Sequence, residues 1–344
     1  MEKFLLPFLF SLGVSLIISG GIIFFGGKLR IFKRTGERHW HNRKAIRLGG
    51  VALIGSFISG LFFSPDLIIT PEIWGFITAC LLILIVGTFD DFKEIFWKIQ
   101  FFFQILSVLI IFIAGVRMKF ITNFWTGGTL SLESEIGVVV SVVLMIFWVM
   151  LLMNVINWSD GTDGLSGSIT LIASLAIFFL SLKPEVNQPP VAIMALALSG
   201  SVLGFLFFNF FPARILAGTS GSNFFGFSLA VLSVFSGTKI ATAILVLIVP
   251  LMDFLWVILN RWRRKKSIFL PDKSHIHFKL MELGWSPIKI NLFFSGVTAS
   301  VAILALNTRT FGKLTVILLS GILMLIFLFF IDGKIRLKNG KIVS

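Results

Sequence analysis

The chain has 344 residues, of which 56% are apolar and only 13% charged, and its mean hydropathy is +0.98. A water-soluble domain of this length needs far more polar surface, and the unbroken apolar runs exclude a barrel of alternating strands. The net charge of +14 would suit nucleic acid, but the Lys and Arg residues cluster in short loops between apolar runs, as membrane topology requires, so nucleic acid is excluded as a partner.

The fold class is therefore all-α and polytopic, a single integral membrane domain over residues 1–344. Eleven transmembrane helices are predicted, at about 4–25, 46–64, 73–89, 99–116, 136–156, 167–182, 190–208, 222–236, 239–259, 290–306 and 313–331. Most approach the ~20 residues that cross ~30 Å of hydrocarbon. The first run has no cleavage-site pattern and reads as a retained span. Between the fourth and fifth spans, Gly127-Gly128 sits among alternating residues and predicts a small exterior hairpin. These spans put 23 of the 30 Lys and Arg residues on one side and 7 on the other. The rich side is the cytoplasmic one, which places the N-terminus outside and the C-terminus inside a cell membrane. Tyrosine is absent, so tryptophan alone supplies the interfacial belt. Cys80, the one cysteine, lies in an apolar run and can form no internal disulfide.

Four segments on the cytoplasmic side carry chemistry. Asp90-Asp91 follows the third span, and adjacent carboxylates repel unless a cation or proton is shared. Asn154-x-x-Asn157-x-x-Asp160-Gly161-x-Asp163-Gly164 closes the fifth span, with residues 154 and 157 one helical turn apart. Carboxylates beside hydrocarbon persist for chemistry or ion binding, and Mg²⁺ takes one or two of them together with phosphate oxygens. Gly218-Thr219-Ser220-Gly221-Ser222 opens the eighth span with the composition of an anion-binding nest. Pro271-Asp272-Lys273-Ser274-His275-Ile276-His277 follows the basic run Arg261–Lys266 in the longest cytoplasmic loop. His275 and His277 suit a diphosphate or its sugar, and no further Cys or His lies near enough in sequence to complete a zinc site.

In this order, and over nearly the whole chain, these segments resemble the polyprenyl-phosphate N-acetylhexosamine-1-phosphate transferases. Asp90-Asp91, Asn154 to Leu165 and Pro271 to His277 each match a family motif, and Pro250-Leu251-Met252-Asp253 also fits. The histidine loop is similar to the branch that uses UDP-GlcNAc rather than to the branch with a triple histidine. The resemblance implies transfer of a sugar-1-phosphate from a UDP-sugar to undecaprenyl phosphate with release of UMP, as the first membrane step of cell-wall or surface-polysaccharide assembly. It implies Asp90, Asp91, Asp160 and Asp163 as catalytic, with Asp90, Asp91 and Asp163 on Mg²⁺ or Mn²⁺. Asn157, His275, His277, Lys44, Lys98 and Ser220 would bind substrate. The implied partners are the UDP-sugar, the lipid phosphate and the bilayer, and a homodimer is allowed. This chain departs from the family at Thr219, where relatives have a magnesium-binding aspartate, and at Phe278, where they usually have histidine. The alternatives are a catalytically impaired relative and, from another class, an ion-coupled transporter.

Overall fold

The computed structural model describes residues 2–28, 45–122, 128–235, 240–267, 274–308 and 310–338. In chain order it runs α1 (Glu2–Lys28), α2 (Gly49–Phe62), α3 (Pro71–Phe92), α4 (Trp97–Ile113), β1 (Phe120–Thr122), β2 (Thr129–Ser131), α5 (Glu135–Ser159), α6 (Leu165–Ser181), α7 (Pro189–Asn209), α8 (Gly218–Phe235), α9 (Ile240–Val246), α10 (Ile248–Arg263), α11 (Ile276–Glu282), α12 (Pro287–Asn307) and α13 (Thr310–Lys338). β1 and β2 pair antiparallel, with Ile121 opposite Leu130, as the hairpin predicts; its turn lies outside the described residues.

Ten of the eleven predicted spans each fall on a single helix. Six of them, α1, α3, α5, α7, α12 and α13, are long and apolar enough to cross a membrane unaided. Four more, α2, α4, α6 and α8, have 14, 17, 17 and 18 residues, which span roughly 21–27 Å at ~1.5 Å per residue. The predicted ninth span is not one helix. It breaks at Leu247 into α9 and α10, which meet at 78°. Pro250 lies in the first turn of α10, where it has no N–H to donate and its ring opposes the carbonyl of Val246. The short α11, inside the loop expected between the ninth and tenth spans, is the other departure.

α8 is the central element. Every residue from Gly218 to Val234 is buried, and α2, α3, α5 and α6 pack around it. Small residues permit this closeness: a side chain on Gly226 would collide with the Leu152 carbonyl and Met153 of α5. Around this centre, α1 lies along α7. Their contact rests on Gly200 against the Phe8 carbonyl and Gly204 against Leu12, with Ser15 Oγ donating to the Ser201 carbonyl at 2.7 Å. In lipid, such close packing and interhelical hydrogen bonds replace the hydrophobic effect as the driving force.

One feature at the end of α8 is made of backbone. Ile46 forms an isolated parallel bridge with Ile215. Ile46 N donates to Arg214 O (3.2 Å) and Leu216 N to Ile46 O (2.8 Å), and then Gly49 N to Leu216 O (2.9 Å) and Gly50 N to Ala217 O (3.1 Å). The segments entering α2 and α8 are thereby strapped side by side.

Candidate active site

α3 delivers Asp90 and Asp91 to the start of α8. Gly87, one turn earlier, lies against the Ser220 backbone so closely that any side chain there would clash. Asp91, 1% exposed, accepts Thr219 N at 2.8 Å, Ser220 N at 3.4 Å and Ser220 Oγ at 3.1 Å, and pairs with Arg47 Nε at 3.3 Å. Gly218, at φ +71°, leaves no room for a Cβ beside this carboxylate. The glycine–hydroxyl segment therefore is an anion nest, and its anion is Asp91. Ser220 is fully buried and turned to Asp91, which it holds. Asp90 accepts Thr219 Oγ1 at 2.6 Å through Oδ2, and Ile95 N and Gln100 Nε2, both at 2.8 Å, through Oδ1.

The second acidic cluster comes from the end of α5. Asn157 Nδ2 donates to Ser222 Oγ at 2.7 Å, tying the last turn of α5 to the first turn of α8. Asn154 Nδ2 reaches Gln104 Oε1 of α4 at 3.0 Å. Asp160 caps α5 and accepts a short hydrogen bond from Ser166 Oγ. Asp163 is buried; its Oδ2 accepts Ala213 N at 2.9 Å, and its carbonyl accepts Asn291 Nδ2 at 3.3 Å. Burial pushes Asp160 up to about 7. The Ser166 hydrogen bond and Arg47 oppose the shift, and the charges of Asp91 and Asp163 add to it. Asp160 thus feels both clusters, 70 residues apart in sequence, around one guanidinium.

The histidines arrive from the other side. His277 is 1% exposed, and its ring abuts Gly161, where no side chain would fit. Burial first, then the neighbouring His275, lowers its pKa to about 3, so the ring is neutral at working pH. Its Nε2 is buried with no hydrogen-bond partner among the described residues. Lys98 is exposed and sits over the Phe96 and Trp97 rings, at 5.9 and 5.6 Å from their centroids, rather than with the acidic groups. Lys44 and Pro271–Lys273 lie outside the described residues.

Among the described residues no three His, Cys, Asp or Glu side chains are grouped as a ready metal site. The oxygens of Asp90 and Asp91 are already engaged by Arg47, Ile95, Gln100, Thr219 and Ser220. Asp160 and Asp163 are better placed: Asp160 uses one oxygen on Ser166, burial raises its pKa, and the charges of Asp91 and Asp163 that add to the shift are what a divalent cation would neutralise. Sequence reasoning missed Arg47, Gln100 and Ser166 as parts of this region, and it named Asp253 only within a motif, without a role. Only Asp253, a carboxylate inside an apolar run, carried a signal.

Residues 73–237 match the family model described as glycosyl transferase family 4. A Bacillus subtilis (strain 168) protein named "Probable undecaprenyl-phosphate N-acetylglucosaminyl 1-phosphate transferase" is 28% identical over 318 residues, covering 90% of this chain and 87% of its own length. The chain is thus similar to glycosyl transferase family 4 over its central segment. A second relative, the decaprenyl-phosphate N-acetylglucosaminephosphotransferase of Mycobacterium leprae (strain TN), is 28% identical over 307 residues, 80% of this chain and 76% of that one. The phospho-N-acetylmuramoyl-pentapeptide-transferase of Limosilactobacillus reuteri (strain DSM 20016) is 28% identical over 288 residues, 78% and 85% of the two chains. The matched family segment runs from α3 to just past α8; it contains both acidic clusters and the start of α8, and leaves out the histidine loop.

Proposed function

We propose that this protein is a member of glycosyl transferase family 4 that transfers GlcNAc-1-phosphate, or a related hexosamine-1-phosphate, from a UDP-sugar to undecaprenyl phosphate at the cytoplasmic face of the cell membrane, releasing UMP. The observation that carries this reading is that Asp90-Asp91 and the end of α5 that bears Asp160 and Asp163 are both tied to the first turn of α8, through Thr219 and through Asn157 to Ser222. The relatives' names, which pair a polyprenyl phosphate with an amino-sugar phosphate, support it. The cytoplasmic face rests on the asymmetry of Lys and Arg between the two sides.

An oxygen of the lipid phosphate forms a bond to the β-phosphorus of the UDP-sugar. The bond from that phosphorus to the bridging oxygen breaks, and UMP leaves with the electron pair. Positioning and charge stabilisation dominate such a transfer. A cleft between α3, α4, α5 and α8, lined by Leu82, Val86, Phe103 and Met153, brings apolar surface up to Asp90. This suits a prenyl chain with its phosphate at that carboxylate. Asp160 and Asp163 would hold Mg²⁺ or Mn²⁺, which supplies neutralisation of the diphosphate charge. Asn157 and Asp91 hold α5 and α3 to α8, and the histidine loop closes over the UDP-sugar.

The test is incubation of purified protein with Mg²⁺, undecaprenyl phosphate and labelled UDP-GlcNAc, followed by extraction of lipid. Lipid-linked sugar phosphate is the expected product; none from any of several UDP-sugars overturns the reading. A second reading, a relative that binds UDP-sugar without turning it over, draws on Thr219, whose hydroxyl is bonded to Asp90 in place of the family carboxylate. Saturable UDP-sugar binding with no product would favour it.

A further inference from the structure

Asp253 has no part in the acidic clusters, yet it is a carboxylate 3% exposed inside an apolar helix. The break at Leu247 turns α10 by 78° and carries Asp253 to the histidine loop. There its Oδ2 lies 2.9 Å from His275 Nδ1, and its Oδ1 accepts Ile276 N at 2.9 Å. One carboxylate thus grips both the ring of His275 and the backbone beside it. An ionised carboxylate only accepts, so Nδ1 carries the proton and Nε2 is the atom left for another partner.

The ring is also walled in. His277 lies parallel to it, 9° between planes with centroids 5.7 Å apart. The Trp158 indole meets it edge-on at 5.7 Å and rests on Phe254 at 4.6 Å. The Arg261 guanidinium covers Trp158 at 5.5 Å. A tether between α10 and the loop would need only one of these contacts; fixing tautomer, rotation and backbone together is what a site requires of a group that must accept in one direction.

We infer that Asp253 is a positioning residue for His275, holding its proton on Nδ1 and presenting the Nε2 lone pair as an acceptor to a hydroxyl or amide N–H of the UDP-sugar. The proposal rests on the transferase reading for its substrate, while the arrangement of the two side chains can be tested without turnover. In Asp253→Asn the single amide oxygen is claimed by Ile276 N–H, so the amide NH₂ faces Nδ1 and drives the proton to Nε2.

The experiment uses the full chain in lipid nanodiscs. Nitrogen-15 spectra of histidine-labelled protein at pH 8 give the tautomer of His275, whose signal is the one lost in His275→Gln. The expected result is the Nδ1–H form in the wild type and the Nε2–H form in Asp253→Asn. Turnover of UDP-GlcNAc is measured in parallel. Asp253→Asn lowers kcat by ~10–100-fold with KM within about threefold, and the double variant is no slower than His275→Gln alone. A wild-type Nε2–H signal, an unmoved signal in Asp253→Asn, or losses that multiply in the double variant each overturn the proposal. If the wild type makes no product, the transferase reading fails and the spectra decide the pairing alone. If Asp253→Asn does not fold, the wild-type tautomer decides it.

Discussion

Thr219 shows how much one side chain settles at the acidic pair. Its hydroxyl donates to Asp90 while its N–H donates to Asp91, so one residue holds both carboxylates. A carboxylate in its place would face Asp90 with like charge and invite a cation to share. Thr219→Asp should therefore melt below the wild type in EDTA and gain more stability from Mg²⁺, read as the melting shift between the two conditions. Asp160 makes a second prediction. Burial raises its pKa to about 7, so it takes its proton more readily when folded than when unfolded. Its contribution is full below the ordinary carboxylate range and is lost as pH rises through about 7. Metal-free protein should lose melting temperature between pH 5 and pH 8, and Asp160→Asn should flatten that fall. The four aspartates are legible in sequence because carboxylates beside apolar runs are chemically conspicuous. Arg47 is not: it is one of eight basic residues between the first two spans, and nothing local shows that it pairs with Asp91.

At the scale of helices, close approach is the recurring device, and it gives a prediction with an internal control. Gly226→Ala forces a methyl group into the α5 backbone, and overpacking of this kind costs about 1–3 kcal/mol. Gly13 of α1 has nothing within 4 Å of where a Cβ would stand. Thermal melts in the same detergent should show Gly226→Ala well below the wild type and Gly13→Ala close to it. The positions of the helices are legible because long apolar runs admit few alternatives in a membrane. The break at Leu247 is not, since Pro250 sits in a run apolar enough to read through. Nor is α11, whose 7 residues begin where Asp253 takes the Ile276 N–H, a contact no local pattern encodes.

For the molecule as a whole, the distribution of basic residues predicts which loops meet the cytoplasm. Cys80 is fully buried and should stay silent toward a membrane-impermeant thiol reagent. Against that background, a cysteine at the exposed Glu185 should label in intact cells, and one at the exposed Lys93 only after permeabilisation. The reverse pattern would invert the molecule and move its acidic groups to the outer face. The backbone strap between residues 46–50 and 214–217 has a mechanical consequence. Four main-chain hydrogen bonds must break before α2 and α8 can part, and broken backbone bonds are expensive away from water. No gate can open along that seam. The elbow at Leu247 lies apart from that seam, and the turn it makes is what sets Asp253 against His275 and Ile276.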